Sequence, residues 1–189
     1  MSNFIIQSTP INNLQLIKQK PIIDDRGFLS RIFCQKTFNN IMQDKTIKQI
    51  NRTFTLKKGT VRGLHFQYPP YAETKIVTCL KGKVWDVAVD LRKGSKTFLH
   101  HHAVLLTEDN YNSFLIPEGF AHGFQTLTTQ CEMLYFHTSN YKQESEGGLN
   151  VLDPLISINW PQEITERSKR DTELEMLKNN FNGIIVNEL

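Results

Sequence analysis

The sequence predicts a mainly β protein, built as an antiparallel sandwich or barrel. Short runs rich in Val, Ile, Thr and aromatic residues recur along most of the chain, and Gly, Pro or charged turns separate them. The run at 84–92 alternates apolar and polar residues, which is the period of a strand. Helical spacing is confined to residues 35–46 and to a stretch near the C-terminus, so helices are expected to be short.

One domain is expected over residues 1–189, because 189 residues can bury a sizeable core. The hydrophobic content of 39% and the charged content of 22% are ordinary for a globular protein. No apolar run approaches the roughly 18 residues of a membrane-spanning helix. The N-terminal residues lack the basic start, apolar stretch and cleavage site of a signal peptide. A cytoplasmic location is therefore predicted.

The cysteine and charge content argues against a disulfide-stabilised protein, a cysteine zinc site and a nucleic-acid-binding protein. Cys34, Cys79 and Cys131 are widely spaced, with no CxxC pair, which argues against a disulfide framework and a cysteine zinc site. Each is expected to be a small buried apolar side chain. The net charge is +3, and the lysines and arginines are spread along the chain without a long basic run, so nucleic-acid binding is not indicated. This weakly basic charge is compatible with binding of an anionic small molecule.

The first 46 residues predict two edge strands, a hairpin and a short helix. Apolar clusters at 4–6 and 14–17 indicate the strands. Within 21–33 an Asp-Asp-Arg-Gly turn containing Arg26 separates two apolar runs, as in a hairpin or strand corner. Residues 35–46 favour the helix.

From residue 47 the strand patterns become dense. Lys81-Gly82-Lys83 predicts a tight hairpin turn between two of the strands. Asp86 and Asp90 share one face of their strand, so that face either meets solvent or lines a polar cavity. A loop follows Tyr141, and a helix is expected from about Ser168 to Asn180. The expected strands are 47–55, 60–67, 75–80, 84–92, 98–106, 113–116, 121–127 and 132–138.

The stretch 59–75 carries the densest polar chemistry. In an extended strand, Val61, Gly63, His65 and Gln67 would share one face, opposite Arg62 and Leu64. A His and a Gln beside a Gly suit a small polar ligand. The alternative is an ordinary core or rim histidine.

A metal site is the first chemical candidate, since Pro117, Gly119 and His122 have the spacing of the second motif of the cupin barrel. Metal-binding cupins draw ligands from an HxH pair, a carboxylate and that second histidine. Here the first motif reads His65-Phe-Gln67 without a Glu at ligand spacing, so the set is incomplete. In the His100 to His102 run only the first and third residues share a face. We expect no native metal.

Acid/base chemistry is the second candidate. Tyr135 shares a strand face with Met133 and His137, so it can reach a cavity. A tyrosine in a barrel with a histidine opposite can act as a proton donor and acceptor pair. A core tyrosine with a satisfied hydroxyl is the alternative.

A series of motifs lies between Pro21 and Asp171: DDRGFLSRIF, QINRT, GTVRGLHFQYPP, TKIVTCLKGKVWDVAVDLRKGSKTF, IPEGFAHGF, LYFHTSNY, EGG, LDP, INWP and SKRD. In these segments, their order and their spacing, the chain resembles the dTDP-4-dehydrorhamnose 3,5-epimerase family, also called dTDP-4-keto-6-deoxyglucose 3,5-epimerase. The resemblance implies a cupin-type antiparallel jelly-roll barrel with a short C-terminal helix, acting as a homodimer with no metal or organic cofactor. It implies inversion of C3 and C5 of a dTDP-linked 4-keto-6-deoxyhexose through an enolate, in deoxysugar biosynthesis of the L-rhamnose type.

The resemblance also implies roles for single residues. His65 resembles the family's base and Asp171 its partner, although Ser168-Lys-Arg-Asp171 is also a helix-capping pattern. Lys75 matches the cation beside the sugar ketone and Tyr135 the proton donor on the opposite face. His122 and Asp86 match a second pair beside the site. The nucleotide sugar is expected to contact Arg26, Phe28, Gln49, Asn51, Arg62, His122, Tyr141, Glu146 and Arg170.

Other readings remain open at this point. An epimerase that inverts C3 or C5 alone is the nearest, followed by a keto-isomerase of the same barrel type. A nucleotide-sugar-binding protein without catalysis and a metal cupin belong to other classes. The joint presence of His65, Lys75, Tyr135 and Asp171 argues against lost catalysis.

Overall fold

The computed structural model describes residues 3–186, in which two antiparallel β-sheets face each other. The predicted domain of 1–189 therefore includes residues 1–2 and 187–189, which lie outside the described part. Its strands are β1 Phe4–Ser8, β2 Gln15–Gln19, β3 Ile22–Asp24, β4 Gly27–Leu29, β5 Gln49–Thr55, β6 Val61–Gln67, β7 Lys75–Lys81, β8 Lys83–Asp90, β9 His101–Thr107, β10 Asn112–Ile116, β11 Phe120–Thr126, β12 Cys131–His137 and β13 Glu146–Gly148.

The six-stranded sheet has the order β1-β2-β10-β7-β12-β5, and the five-stranded sheet has the order β13-β6-β11-β8-β9. Strands β3 and β4 form a separate hairpin. The predicted mainly β architecture is confirmed, and each predicted strand is present with ends shifted by a few residues. Within residues 3–186, no helix combines the length and the apolar character needed to cross a membrane.

Three apolar clusters hold the sheets in place. One lies between the sheets, where Val77 and Met133 of the six-stranded sheet meet Ala88 and Phe124 of the five-stranded sheet. A second covers the outer face of the five-stranded sheet with the segment 149–186. The third packs residues 32–47 on the outer face of the six-stranded sheet. Each sheet is thus apolar on both faces over part of its area, which fixes strand register strongly.

The turn at 81–83 is not the predicted hairpin. Strands β7 and β8 belong to different sheets, so Gly82 carries the chain from one sheet to the other. Gly82 has a φ of +80°, and a Cβ there would lie 2.6 Å from Thr128 Oγ1. The turn residues were predicted correctly, but turn residues do not determine whether the flanking strands pair.

Both predicted helices are shorter than expected. Helix α1 spans Gln35–Phe38 and helix α2 spans Lys169–Thr172. After α2 the chain is fixed by side chains instead of helical bonds, because Asn150 Nδ2 donates to Leu174 O at 2.9 Å and the Leu177 N–H donates to Asp153. Leu177 packs against the cluster on the outer face of the five-stranded sheet, whereas Met176 is exposed.

The cysteines follow the prediction in part. Cys79 and Cys131 are buried, and all three thiols are free. Burial raises the pKa of the Cys79 thiol to about 12. Cys34 is only half-buried, so the prediction was wrong for this residue.

A bulge in β6 changes which residues share a face. Arg62 pairs with Phe124 and His65 with His122, so Gly63 and Leu64 together oppose Gly123. Leu64 consequently turns into the outer cluster, and Arg62 lines the same cavity as His65. The prediction that Arg62 lies opposite His65 was wrong, because an unpaired residue shifts the alternation by one.

Gly63 is what makes the bulge compatible with close packing. Its φ is +122°, and a Cβ would lie 2.6 Å from the Gly123 Cα and 2.7 Å from the His122 carbonyl oxygen. No side chain fits at this position without moving backbone.

We expect Gly63→Ala to destabilise the fold much more than Gly27→Ala. Gly27 has nearly the same φ, +123°, but a Cβ there meets nothing within 4 Å. Gly27→Ala should cost about 1–2 kcal/mol from backbone strain alone. Gly63→Ala should cost more than about 3 kcal/mol, since overpacking is added. Urea unfolding of the two variants measures the difference, and equal losses would mean that crowding at Gly63 is unimportant.

Candidate active site

A cavity of about 740 Å³ lies between the two sheets and extends to α2. The five-stranded sheet contributes residues from β6 and β11, and the six-stranded sheet contributes residues from β5, β7 and β12. Of the residues singled out from the sequence, those that line the cavity are Gln49, Asn51, Arg62, His65, Gln67, Lys75, His122, Tyr135, His137, Tyr141, Glu146, Ser168, Arg170 and Asp171.

His65 and Asp171 form a pair at the cavity wall. His65 Nε2 lies 2.7 Å from Asp171 Oδ1, and the Asp171 carboxylate is buried while the imidazole is 31% exposed. A carboxylate accepts, so Nε2 carries the proton and Nδ1 keeps a lone pair. The pair therefore leaves His65 with a basic nitrogen.

Asp171 remains ionised although it is buried. Burial opposes the negative charge of the carboxylate. The hydrogen bond and the electrostatic attraction from His65, together with a hydrogen bond from the Gly63 N–H, hold the pKa of Asp171 below its ordinary value. The helix cap is made by other atoms, because the Asp171 N–H donates to Ser168 Oγ at 3.0 Å. The two roles considered for this segment are thus compatible.

Tyr135 reaches the cavity from the opposite sheet. It is 8% exposed, and burial raises its pKa well above the ordinary value, so the hydroxyl keeps its proton. Its hydroxyl lies 3.4 Å from Thr53 Oγ1, a contact that the sequence did not predict. Tyr135 is therefore a neutral hydroxyl at the cavity wall, on the sheet opposite that of His65.

Lys75 is buried beside the His65–Asp171 pair, in a cluster of ionisable side chains that was not predicted from the sequence. Its Nζ lies 3.0 Å from Glu73 Oε1 and 3.4 Å from the backbone carbonyl oxygen of His65. Glu73 Oε2 is 3.0 Å from His137 Nδ1. Two signals were available: Glu73 lies two residues before Lys75, on the same face of extended chain, and Lys75 and His137 fall opposite each other on β7 and β12.

His122 and Asp86 form a second buried pair. His122 Nε2 lies 2.9 Å and 3.1 Å from the two Asp86 oxygens. Burial raises the pKa of Asp86, and the nearby His122 only partly offsets this. The polar face predicted for β8 is thus inside the protein, and Asp90 on the same strand pairs with Arg92 at 2.8 Å.

The cavity mouth combines cations with hydrogen-bonding groups. Arg62 Nε donates to Thr55 Oγ1 at 2.9 Å, and Arg170 lies 2.7 Å from Glu146, which also accepts from the Tyr141 hydroxyl at 2.9 Å. Gln49 Nε2 donates to Asn51 Oδ1 at 3.1 Å. Two arginines, Arg62 and Arg170, thus lie at the open mouth of the cavity, where they suit an anionic ligand such as a diphosphate.

Arg26 and Phe28 do not line this cavity. They lie on the β3–β4 hairpin, where the Arg26 side chain is 89% exposed and Phe28 is 62% exposed. Ile22, Ile23 and Leu29 of the same hairpin are exposed as well. The sequence grouped these residues with the site, but within one chain the hairpin projects from the surface instead.

The histidine run at 100–102 does not converge on one point. His101 Nδ1 contacts the Ile156 carbonyl oxygen at 3.2 Å, while His102 packs near the Phe114 ring at 6.3 Å. Burial lowers the pKa of His102. Across residues 3–186, no three His, Cys, Asp or Glu side chains are grouped so as to hold a metal ion.

Comparison with known proteins points in one direction. The model of the family described as dTDP-4-dehydrorhamnose 3,5-epimerase matches residues 8–179. The dTDP-4-dehydrorhamnose 3,5-epimerase of Salmonella typhimurium is 40% identical over 92% of this chain and 95% of its own. That of Sinorhizobium fredii is 39% identical over 87% of this chain and 85% of its own.

A solved structure agrees with these relatives. The crystal structure of a dTDP-6-deoxy-D-glucose-3,5-epimerase of Legionella pneumophila, in complex with dTDP-4-keto-L-rhamnose, is similar at a TM-score of 0.87. It is 36% identical in sequence, and the match covers 92% of each chain. This likeness confirms the predicted cupin-type jelly roll.

We expect the contribution of Asp171 to stability to depend on pH. Because its pKa is lowered in the folded state, its stabilisation is present above the unfolded pKa of about 3.9 and is lost as pH falls through the lower folded pKa. Asp171→Asn should therefore cost about 1–3 kcal/mol at pH 7 and much less at pH 3. Urea unfolding at both pH values measures this. The control is Asp109→Asn, an exposed turn residue, and an Asp171→Asn cost equal at both pH values would contradict the expectation.

Proposed function

This chain belongs to the dTDP-4-dehydrorhamnose 3,5-epimerase family, and on that premise we propose how its side chains carry out the reaction. The activity is inversion of C3 and C5 of a dTDP-linked 4-keto-6-deoxyhexose, in dTDP-rhamnose biosynthesis. One observation carries the proposal: a histidine held by a carboxylate on one sheet and a neutral tyrosine on the other sheet line the same cavity.

His65 is the base. Its Nδ1 removes the proton from the carbon beside the C4 ketone, and the electron pair of the broken C–H bond moves onto the ketone oxygen as an enolate. The imidazole becomes an imidazolium, which the Asp171 carboxylate stabilises at 2.7 Å. Asp171 also fixes which nitrogen is basic.

Lys75 stabilises the enolate. A buried ammonium beside the oxygen that gains charge acts in a site of low dielectric constant, where one charge is worth more than in water. Its contact with the carbonyl oxygen of His65 keeps the cation close to the base.

Tyr135 returns the proton. Because it comes from the sheet opposite His65, its hydroxyl delivers the proton to the other face of the enolate, which inverts the carbon. The raised pKa keeps this proton on the tyrosine until the carbanion demands it. Between the two inversions the imidazolium releases its proton to solvent and the tyrosinate takes one from solvent, so the same base and acid serve C3 and C5 in turn.

The nucleotide occupies the cavity mouth. Arg62 and Arg170 face the diphosphate, Tyr141 contacts the base, and Gln49, Asn51 and Glu146 supply polar contacts. His122, held by Asp86, contacts the sugar. The bound dTDP-4-keto-L-rhamnose in the Legionella pneumophila relative supports a ligand of this kind.

The working unit is a homodimer in which the β3–β4 hairpin reaches the partner subunit's cavity. A hairpin with four exposed large apolar side chains and an arginine at its turn needs a surface to cover it. In this arrangement Arg26 and Phe28 complete the nucleotide site of the other subunit. Three free cysteines suit a reducing compartment, so we assign the enzyme to the cytoplasm.

Proton removal by His65 and proton donation by Tyr135 can be measured separately in deuterated buffer. We expect His65→Asn to lose exchange and inversion together, by about two to four orders of magnitude, because the base is gone. Tyr135→Phe should still form the enolate and wash deuterium into the sugar with retained configuration, while inverted product falls far more than exchange. Proton NMR of dTDP-4-keto-6-deoxyglucose measures both.

The same assay tests the assignment itself. Wild type should incorporate deuterium at both C3 and C5, and EDTA should leave the rate unchanged because only a base, an acid and a cation are needed. Deuterium at one carbon alone would indicate a mono-epimerase, and loss of turnover in EDTA would indicate a metal. Normal inversion by Tyr135→Phe would reduce Tyr135 to a packing residue.

Subunit mixing tests the hairpin. We expect Arg26→Ala/Phe28→Ala to raise KM for the nucleotide sugar, and His65→Asn to be inactive. In a dimer that contains one copy of each variant, the Arg26→Ala/Phe28→Ala subunit supplies a cavity with His65 and the His65→Asn subunit supplies an intact hairpin. Such a dimer therefore has one complete site. Equal mixing should restore about a quarter of the wild-type sites, as random pairing of a two-fold dimer requires.

Mixing that restores nothing beyond the two parent variants would show that the hairpin does not serve the partner's cavity. Gel filtration of each variant provides the control, since both must remain dimeric for the comparison.

A further inference from the structure

A buried carboxylate lies beside the catalytic groups without a role in the steps above. Glu73 immediately precedes β7, and its side chain is 9% exposed. One oxygen contacts Lys75 Nζ at 3.0 Å, and the other lies 3.0 Å from His137 Nδ1 and 3.4 Å from Gln67 Nε2. The sugar end of the cavity therefore contains an anion with three polar neighbours.

This carboxylate is ionised. Burial opposes the charge, but the Lys75 ammonium and His137 outweigh it and hold the Glu73 pKa below its ordinary value. Glu73 thus places an ionised carboxylate 3.0 Å from Lys75 Nζ, and this charge-assisted contact holds the cation in the place where the reaction needs it.

The contacts of Lys75 also set its direction. An ammonium has three N–H donors, and two of them are directed at Glu73 Oε1 and at the His65 carbonyl oxygen. The third donor is left for an oxygen in the cavity. Because one anchor is the backbone of the base itself, the cation is fixed relative to the carbon that loses its proton.

We propose that Glu73 is a positioning residue for the epimerisation, acting through Lys75 to aim its third donor at the ketone oxygen. The inference rests on the proposed function and extends it by one residue. Glu73 itself lines the cavity, but both of its oxygens are engaged by Lys75, His137 and Gln67, so we assign it to positioning Lys75 and not to binding the substrate.

A negative charge near a forming enolate also has a cost. Glu73 lies 3.0 Å from the ammonium, and donors from His137 and Gln67 draw charge from its second oxygen. The carboxylate weakens the field of the ammonium at the enolate, but it also holds the ammonium at the place where that field acts.

Glu73→Gln tests this with nearly unchanged shape. We expect kcat to fall about tenfold to hundredfold, because a lysine that is not held toward the ketone oxygen stabilises the enolate poorly. KM for the nucleotide sugar should change less than about twofold, because the nucleotide contacts lie at the cavity mouth. Glu132→Gln is the matched control: Glu132 also pairs with a cation, Arg52 at 2.6 Å, but it lies away from the cavity. Its kcat should match that of wild type.

A double-mutant cycle with Lys75→Ala tests whether Glu73 acts through Lys75. The double variant should have the kcat of Lys75→Ala, since there is no cation left to position. Lys75→Ala should also melt at a lower temperature than wild type, because it leaves Glu73 without its ammonium. Adding Glu73→Gln should recover part of that loss.

Losses in kcat that multiply in the double variant, or a Glu73→Gln enzyme with wild-type kcat, would overturn the inference. So would a double variant that melts no higher than Lys75→Ala, a result that needs no activity assay. Failure of wild type and Glu132→Gln to invert the sugar would instead count against the proposed function, while the melting comparison still decides whether Glu73 and Lys75 are coupled.

Discussion

The close approach of two glycines is the constraint on which the site depends. Gly63 and Gly123 pass so near each other that neither accepts a Cβ, and the bulge this allows in β6 turns Arg62 and His65 into the same cavity. The Gly63 N–H also donates to Asp171. Steric exclusion at one point between β6 and β11 therefore sets the position of the proposed base, of its carboxylate and of a mouth arginine together. A regular strand would have separated them.

The cavity places ionisable groups in pairs, and each pair comes from more than one element. His65 of β6 meets Asp171 of α2, His122 of β11 meets Asp86 of β8, and Glu73 joins Lys75 of β7 to His137 of β12. Pairing lets charges exist where water is scarce. Among the described cavity residues, Tyr135 has no charged partner of this kind, and burial keeps its hydroxyl neutral. The proposed acid and the proposed base thus differ because their surroundings differ.

Local pattern predicted much of this architecture. The alternation of β12 correctly placed Tyr135 on the cavity face, the alternation of β8 left open whether the Asp86 face is buried, and the strand positions followed from β-branched runs and turns. Three features depend on tertiary contacts and were not predicted: the bulge at Gly63, the switch of sheets at Gly82 and the early end of α2. After α2, the side chains of Asn150 and Asp153 bind the backbone groups that a longer helix would have paired. Glu73 was missed although it lies only two residues before Lys75, because its contact with His137 appears only when β7 and β12 are brought together.

The burial of two thiols gives the folded protein a built-in reporter. Cys79 and Cys131 lie in the core between the sheets, and the raised pKa of Cys79 leaves almost no thiolate at neutral pH. Cys34 is half-buried, and a hydrogen bond with Thr37 lowers its pKa. A thiol-specific dye would therefore label one position beside α1 in the native state. Labelling of the other two would mark separation of the sheets, which gives a direct kinetic readout of opening.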